Sequence, residues 1–175
     1  MIGAAIQRLD RSARLLAPFA LSGLLILLGA LPVHVPGYGQ IAFNVGLLTV
    51  FYWSIYRPDL MPAVAAFMLG LWQDILVGSP VGLGALVLVL VNWAIVHQRT
   101  FFQGKSFAVI WFCFSVVQIA AAVLSWVLVC ALDTTLVNIM PGLFQAVLTI
   151  GVFPFMAWLL ARAQHAVLRP VDVGV

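Results

Sequence analysis

The chain has 175 residues, of which 65% are hydrophobic and only 7% are charged, with a formal net charge of +3 at neutral pH. Soluble domains carry about 25% charged and about 45–50% apolar residues, so this composition excludes an ordinary soluble protein. Because a membrane-crossing helix needs roughly 20 apolar residues, the length predicts a single helical bundle in a membrane. The excess of basic over acidic residues is then interpreted as a signal of orientation in the membrane and not of nucleic-acid binding.

Six apolar segments follow one another along the chain and are interpreted as transmembrane helices. They run approximately over Leu15–Val33, Ile41–Tyr56, Leu60–Val77, Val81–His97, Ser106–Leu132 and Leu136–Ala161. Gly78-Ser79-Pro80 predicts a tight hairpin between the third and fourth segments, and the link from Gln98 to Lys105 is the longest polar one. The second, third and fourth segments are short. Three arrangements therefore stay open: the helices cross obliquely, they thin the bilayer locally, or they enter it only in part.

The positions of the basic residues give an independent test of this segment count. With six crossings, all eight Lys and Arg residues fall on one side: Arg8, Arg11, Arg14, Arg57, Arg99, Lys105, Arg162 and Arg169. Cytoplasmic loops are enriched in these residues, so we expect both chain ends in the cytoplasm. The predicted divisions are a basic cytoplasmic leader (1–14), a six-helix transmembrane domain (15–161) and a cytoplasmic tail (162–175).

Asp74 is the carboxylate predicted to lie inside an apolar segment, where burial costs several kcal/mol unless the group is partnered. Four residues of the third helix recur at a spacing of four and share one face: Ala66, Gly70, Asp74 and Gly78. We favour a buried carboxylate that holds the Gly78–Gly82 hairpin together, and a ligand or proton site is the alternative. Its candidate hydrogen-bond partners are Gln73, Asn92 and backbone amides.

Small residues around this hairpin are candidate surfaces for helix–helix contacts. One surface is the face of the third helix that carries Gly70 and Gly78, and the other is the start of the fourth helix, Gly82-Leu83-Gly84-Ala85. Both are candidates because small side chains let helices approach closely. Arg57 and Asp59 flank Pro58, and we expect them to pair locally or to meet a partner. Four polar residues in apolar surroundings predict interhelical hydrogen bonds or, alternatively, a polar cavity: Asn44, Asn92, Gln118 and Gln145.

Residue patterns typical of enzymes are missing from the sequence. His34, His97 and His165 lie at segment ends, and none belongs to a metalloprotease motif. There is no Gly-rich phosphate loop, no G-x-S-x-G and no Asp pair spaced to hold magnesium. Cys113 and Cys130 lie on one predicted helix, roughly 25 Å apart, too far for a disulfide. We therefore expect no enzymatic activity, no metal and no cofactor.

The hairpin sequence Asp74-Ile-Leu-Val-Gly78-Ser-Pro-Val-Gly82 resembles the signature of the rod shape-determining protein MreD family. The aromatic helix from Leu47 to Tyr56, its Arg57-Pro58-Asp59 link and the small-residue helix from Ala63 to Gly70 are similar to that family as well. The resemblance is clearest over residues 41–90. Phe43-Asn44 departs from the proline that family members often carry at the start of the second helix.

The resemblance implies a multi-pass protein of the bacterial inner membrane that acts in the elongation machinery. The implied partners are the bitopic protein MreC and, indirectly, the actin-like MreB and the cell-wall synthases. The implied fold is similar to the six-helix substrate-binding subunits of energy-coupling-factor vitamin transporters. Our hypothesis is a scaffold that supports sidewall peptidoglycan synthesis through contacts within the lipid bilayer. The alternative is a vitamin-type binding subunit of a transporter, since fold alone does not decide function.

Overall fold

The computed structural model describes residues 18–29, 43–102, 104–133 and 139–167, and the regular elements in these ranges are all helical. The helices are α1 (Pro18–Gly29), α2 (Val45–Tyr56), α3 (Ala63–Val77), α4 (Leu83–His97), α5 (Arg99–Phe102), α6 (Phe107–Asp133) and α7 (Met140–Val167). A 3₁₀ turn over Pro58–Leu60 joins α2 to α3. The basic leader, the loop that holds His34 and the last eight residues lie outside the described ranges.

Each of the six predicted segments contains one helix of 12 or more residues, and two details differ from the sequence expectation. The polar link from Gln98 to Lys105 contains the four-residue helix α5. In addition, α7 continues to Val167, past the segment end predicted at Ala161. Residues such as Arg162 and Gln164 end the apolar segment without ending the helix, because Arg and Gln are strong helix formers.

Helix α2 lies at the centre of the bundle, and every residue from Val45 to Ser54 is buried. A helix that is apolar on all sides has no solvent face, so it is covered by neighbours on every side. Phe51 anchors this core through edge-to-face contacts with Phe114 of α6 and Phe153 of α7, at ring-centroid distances of 5.1 Å and 5.8 Å. The rings of Phe114 and Phe153 stack on each other at 4.2 Å.

The helices alternate in direction between two ends of the bundle. At one end, called the hairpin end, the start of α2 meets the end of α3 through Asn44 and Gln73, and it meets α7 through Thr149. At the opposite end, called the basic end, the Tyr52 hydroxyl near the end of α2 donates to Gln164 of α7 at 3.2 Å. Four basic residues of the described ranges lie at this second end: Arg57, Arg99, Lys105 and Arg162.

The outer helices present large apolar side chains on their exposed faces. Phe112 of α6 is 70% exposed, Trp93 of α4 is 66% exposed and Val147 of α7 is 66% exposed. Among the described residues, α6 and α7 are the two helices both long and apolar enough to cross a membrane, and only 22% and 28% of the residues in their most apolar parts are buried. Core helices of soluble proteins are mostly buried, so these surfaces fit a hydrocarbon environment.

Candidate functional site: the Asp74 hairpin and the adjoining polar crevice

Asp74 lies in the last turn of α3, and only 2% of the residue is exposed. Its partners are hydrogen-bond donors from the turn and from the first residues of α4. The Ser79 hydroxyl donates to Oδ1 at 2.8 Å. The backbone amides of Gly82 and Gly84 donate to Oδ2 at 2.9 Å and 3.0 Å, and a longer contact of 3.4 Å joins the Ala85 amide to the same oxygen.

These contacts place a carboxylate at the N-terminus of α4, where the first backbone N–H groups have no partner within the helix. The helix dipole contributes roughly half a positive charge at that end, so an anion there is stabilised. Gly82, which precedes α4, has no side chain with which to cap the helix. Asp74 supplies that cap from the neighbouring helix, and it thereby ties the end of α3 to the start of α4.

Two glycines of the hairpin are required by backbone conformation. Gly78 has a φ of +74° where α3 ends, and Gly82 has a φ of +99° where α4 begins. These are left-handed conformations, which side chains with a Cβ adopt at a cost. A third glycine, Gly84, is required by space, because a Cβ there would collide with the Asp74 carboxylate.

Gly70 brings the backbones of α3 and α4 into direct contact one turn further from the hairpin. A Cβ at this position would collide with the Cα of Ala85 and lie 2.7 Å from its backbone nitrogen. Ala66, on the same face of α3, is completely buried. Ala66 and Gly70 of α3 therefore lie on a face that packs against Ala85 of α4 within the chain, whereas a Cβ at Gly78 or Gly82 in the turn would meet no other atom within 4 Å.

Asn44 joins three helices next to the hairpin. Its Oδ1 caps α2 by accepting from the Leu47 amide at 3.1 Å and also accepts from Gln73 Nε2 of α3 at 3.1 Å. Its backbone amide donates to the hydroxyl of Thr149 in α7. A Cβ at Gly46 would collide with the Gln73 side chain, so α2 and α3 approach closely here as well.

Gln73 and Asn92, the other candidate partners of Asp74, form their hydrogen bonds elsewhere. Asn92 of α4 is 4% exposed and donates to the Ser54 hydroxyl at 2.8 Å and to the Met61 carbonyl at 3.1 Å. This second polar cluster lies toward the basic end. It connects α4 both to α2 and to the link that joins α2 to α3.

A crevice of about 160 Å³ opens between α6 and α7 at the hairpin end, and we call it the α6–α7 crevice. Its polar lining consists of Asn44, Gln118, Ser125 and Gln145, and its remaining walls are apolar or aromatic. Gln118 is 2% exposed, and its Oε1 accepts no hydrogen bond within the described part of the chain. The two helices are in direct contact toward the basic end. There the indole N–H of Trp111 donates to the Ile150 carbonyl at 3.0 Å.

Arg57 and Asp59 are not brought to this site. Both are exposed at the basic end, on either side of Pro58, and no ion pair joins them in the described ranges. Within those ranges there is also no group of three or more His, Cys, Asp or Glu residues that could hold a metal ion. What the described site shows is a buried carboxylate whose hydrogen bonds position α3 against α4.

Sequence reasoning missed two contributors to the site. The sequence predicts that Ser79 lies in the turn, but its bond to Asp74 depends on a side-chain orientation that sequence does not specify. The sequence predicts that Asn44 forms interhelical hydrogen bonds or lines a polar cavity, but the capping of α2 by its side chain is not among these predictions. An Asn immediately before an apolar run is a typical N-cap signal, and that signal could have identified its capping of α2.

Comparison with known families agrees with the resemblance of the hairpin sequence. The model of the family described as rod shape-determining protein MreD matches residues 10–163, well over half of the chain. The chain belongs to the MreD family. No curated protein and no protein of known structure matches it significantly.

The matched range includes the Asp74 hairpin and all the residues named above as lining the α6–α7 crevice. Membership of the MreD family implies a role in rod-shape determination. It is a shape-determining family and not a known enzyme family.

Proposed function

We propose that this MreD-family chain is a scaffold of the bacterial rod-shape complex in the inner membrane. In this proposal it binds an MreC-like bitopic protein through lipid-buried helical faces and acts indirectly with an MreB-like filament and the cell-wall synthases. The observation that carries the proposal is the family match over residues 10–163. The exposed apolar faces of α4, α6 and α7 support it, because helices in lipid associate through side-chain packing and interhelical hydrogen bonds.

The same proposal includes six membrane crossings with both chain ends in the cytoplasm. The alternating helix directions support this arrangement, as does the grouping of four basic residues at one end. The short helices need an explanation, since the 12 residues of α2 span about 18 Å of a hydrocarbon core about 30 Å thick. Non-helical polar backbone beyond such a helix is tolerated where protein surrounds it, and α2 lies at the centre of the bundle.

A complementation experiment tests the scaffold proposal. The chain is expressed in a rod-shaped bacterium whose own MreD-family gene is depleted, and cell shape is measured. We expect rods with the wild-type chain and rounded cells with an empty vector. Rounded cells with a well-expressed and correctly inserted wild-type chain would contradict the proposal for that host.

Photo-crosslinking in the same cells tests which face meets the bitopic partner. A photoreactive amino acid replaces one exposed residue at a time, Trp93 on α4, Phe112 on α6 or Val147 on α7, and buried Phe51 serves as the control position. We expect at least one exposed position to crosslink to an MreC-like protein, whereas position 51 does not. Capture of an ATPase module in place of that protein would favour the transporter alternative.

The α6–α7 crevice is the observation that keeps the transporter alternative open, because one buried and three partly buried polar side chains line it. Its volume of about 160 Å³ argues against a vitamin-sized ligand, since pockets for drug-sized molecules run from about 300 to 1,000 Å³. Native mass spectrometry after gentle extraction from membranes separates the two functions. Recovery with a bitopic protein supports the scaffold, and recovery with a tightly held vitamin-sized molecule supports the transporter.

A further inference from the structure

The α6–α7 crevice combines a polar floor with apolar walls in a helical protein whose outer faces are apolar. Gln118 is 98% buried, since only 2% of the residue is exposed, and its Oε1 lacks a hydrogen-bond donor in the described structure. A buried acceptor without a donor is uncommon in folded proteins and calls for a specific explanation, such as a bound water or ligand. The unmet group is an acceptor, so a bound molecule that satisfied it would have to carry an O–H or N–H donor.

The charge of the crevice restricts that molecule further. None of the residues described as lining the crevice is ionisable. A phosphate, carboxylate or ammonium group would therefore lie in a low-dielectric site without a counter-charge, which is strongly unfavourable. The head of the molecule is consequently neutral.

The apolar walls and the opening determine the rest of the molecule. Val129 and Ile139 line the crevice, and so do Val123 and Leu143, which are 44% and 41% exposed. These partly exposed side chains mark the rim toward the surrounding medium. A volume of about 160 Å³ is close to that of an engineered apolar cavity that binds benzene. The crevice therefore has room for a small polar head group and the first few carbons of one hydrocarbon chain. The rest of that hydrocarbon chain would run along the rim.

From these observations we propose that the α6–α7 crevice binds a neutral single-chain amphiphile, such as a long-chain alcohol or monoacylglycerol, whose hydroxyl donates to Gln118 Oε1. This site is separate from the Asp74 hairpin and does not depend on the scaffold function. Ordered water is the competing occupant, because the crevice is large enough to hold several water molecules. A binding test must distinguish the hydroxyl-bearing chain from water alone.

Photoaffinity labelling of the full chain in lipid vesicles makes that distinction. The probes are a long-chain alcohol that carries a diazirine near its head and the matched methyl ether, which has the same chain but no donor. We expect the alcohol to label residues 122–129 and 139–143 about tenfold more than the ether, as the loss of one buried hydrogen bond predicts. Equal labelling by the two probes, or labelling spread evenly over all exposed helix faces, would overturn the proposal and leave water as the occupant.

Two glycines of α7 provide a matched pair of variants. A Cβ at either Gly142 or Gly151 meets no atom within 4 Å, but only Gly142 lines the crevice. We expect Gly142→Leu to fill the crevice and remove the preference for the alcohol, and Gly151→Leu to label as wild type. Gln118→Leu removes the acceptor at similar volume and should bring alcohol labelling down to the level of the ether. Undiminished labelling in well-folded Gly142→Leu or Gln118→Leu protein would refute the site.

Discussion

At the scale of single residues, the hairpin depends on one carboxylate that satisfies several donors at once. Asp74 accepts from one hydroxyl and from the amides at the start of α4, and it is almost completely buried. Removing an acceptor from buried donors costs more than the net strength of the bonds, because each donor is left without water. The stability of the hairpin should therefore be sensitive to the chemistry of this side chain and not only to its size.

Asp74→Asn tests that sensitivity with almost no change in volume. The amide keeps one of the two acceptor oxygens, replaces the other by an N–H donor and removes the negative charge at the start of α4, so we expect unfolding to become easier by about 1–3 kcal/mol. Thermal unfolding of the purified protein in detergent measures the effect. Asp59→Asn is the control, since Asp59 is exposed and should change stability by less than about 0.5 kcal/mol. Equal unfolding temperatures for the two variants would contradict the capping role of Asp74.

Gly84→Ala tests the space that the carboxylate occupies. A methyl group at Gly84 would collide with the Asp74 carboxylate and push it away from its donors. Alanine normally stabilises a helix relative to glycine by about 1 kcal/mol. Here we expect a net loss of stability of about 1–3 kcal/mol in the same thermal assay, as overpacking predicts. A stability gain in Gly84→Ala would show that the carboxylate moves aside at no cost.

The residue scale also shows what the sequence could and could not predict. A carboxylate, two glycines and a proline within nine positions predicted a hairpin and a buried acid, because turns and membrane charges follow strong local rules. The choice among Gln73, Asn92 and backbone amides could not be made from sequence, because it depends on the rotation of α3 against α2 and α4. In the structure that rotation turns Gln73 toward Asn44 and leaves Asp74 facing the start of α4.

At the scale of helices, the contact between α3 and α4 is set by a single missing side chain. Gly70 lies against the backbone of Ala85, so a larger residue must push the two helices apart. The spacing of small residues predicted a close helix approach but not its partner, because a small-residue face fits a neighbouring helix and a second protein equally well. The helix boundaries were predictable wherever turn residues end a segment, and α7 exceeded its predicted end because its polar residues favour helix.

Gly70→Ala tests this contact between elements. We expect a loss of stability of about 1–3 kcal/mol, because the contacted atoms belong to a helix backbone and cannot rotate away. Gly151→Ala in α7 is the matched control, since no atom lies within 4 Å of its Cβ and the higher helix propensity should make it neutral or stabilising. Gly70→Leu should be more severe and should also reduce recovery of the rod-shape complex. Normal stability of Gly70→Ala would mean that α3 and α4 are not tightly packed at this point.

At the scale of the whole molecule, composition predicted more than any motif. A chain with 7% charged residues cannot cover itself with a polar surface, and the exposed faces of α4, α6 and α7 are accordingly apolar. The α6–α7 crevice was not predictable in this way. It depends on two helices that pack tightly around Phe114 and Phe153 and separate toward the hairpin end, which is a property of their packing and not of their periodicity.

The proposed six-crossing topology places the hairpin end and the basic end of the bundle on opposite sides of the membrane, and this placement can be tested by labelling. In a background without Cys113 and Cys130, we place single cysteines at Val81, which is 71% exposed in the hairpin, and at Thr100, which is exposed at the basic end. A membrane-impermeant maleimide should label Val81→Cys in intact spheroplasts and label Thr100→Cys only after permeabilisation, since cytoplasmic loops carry the basic residues. Labelling of both positions from the same side would rule out an odd number of crossings between them.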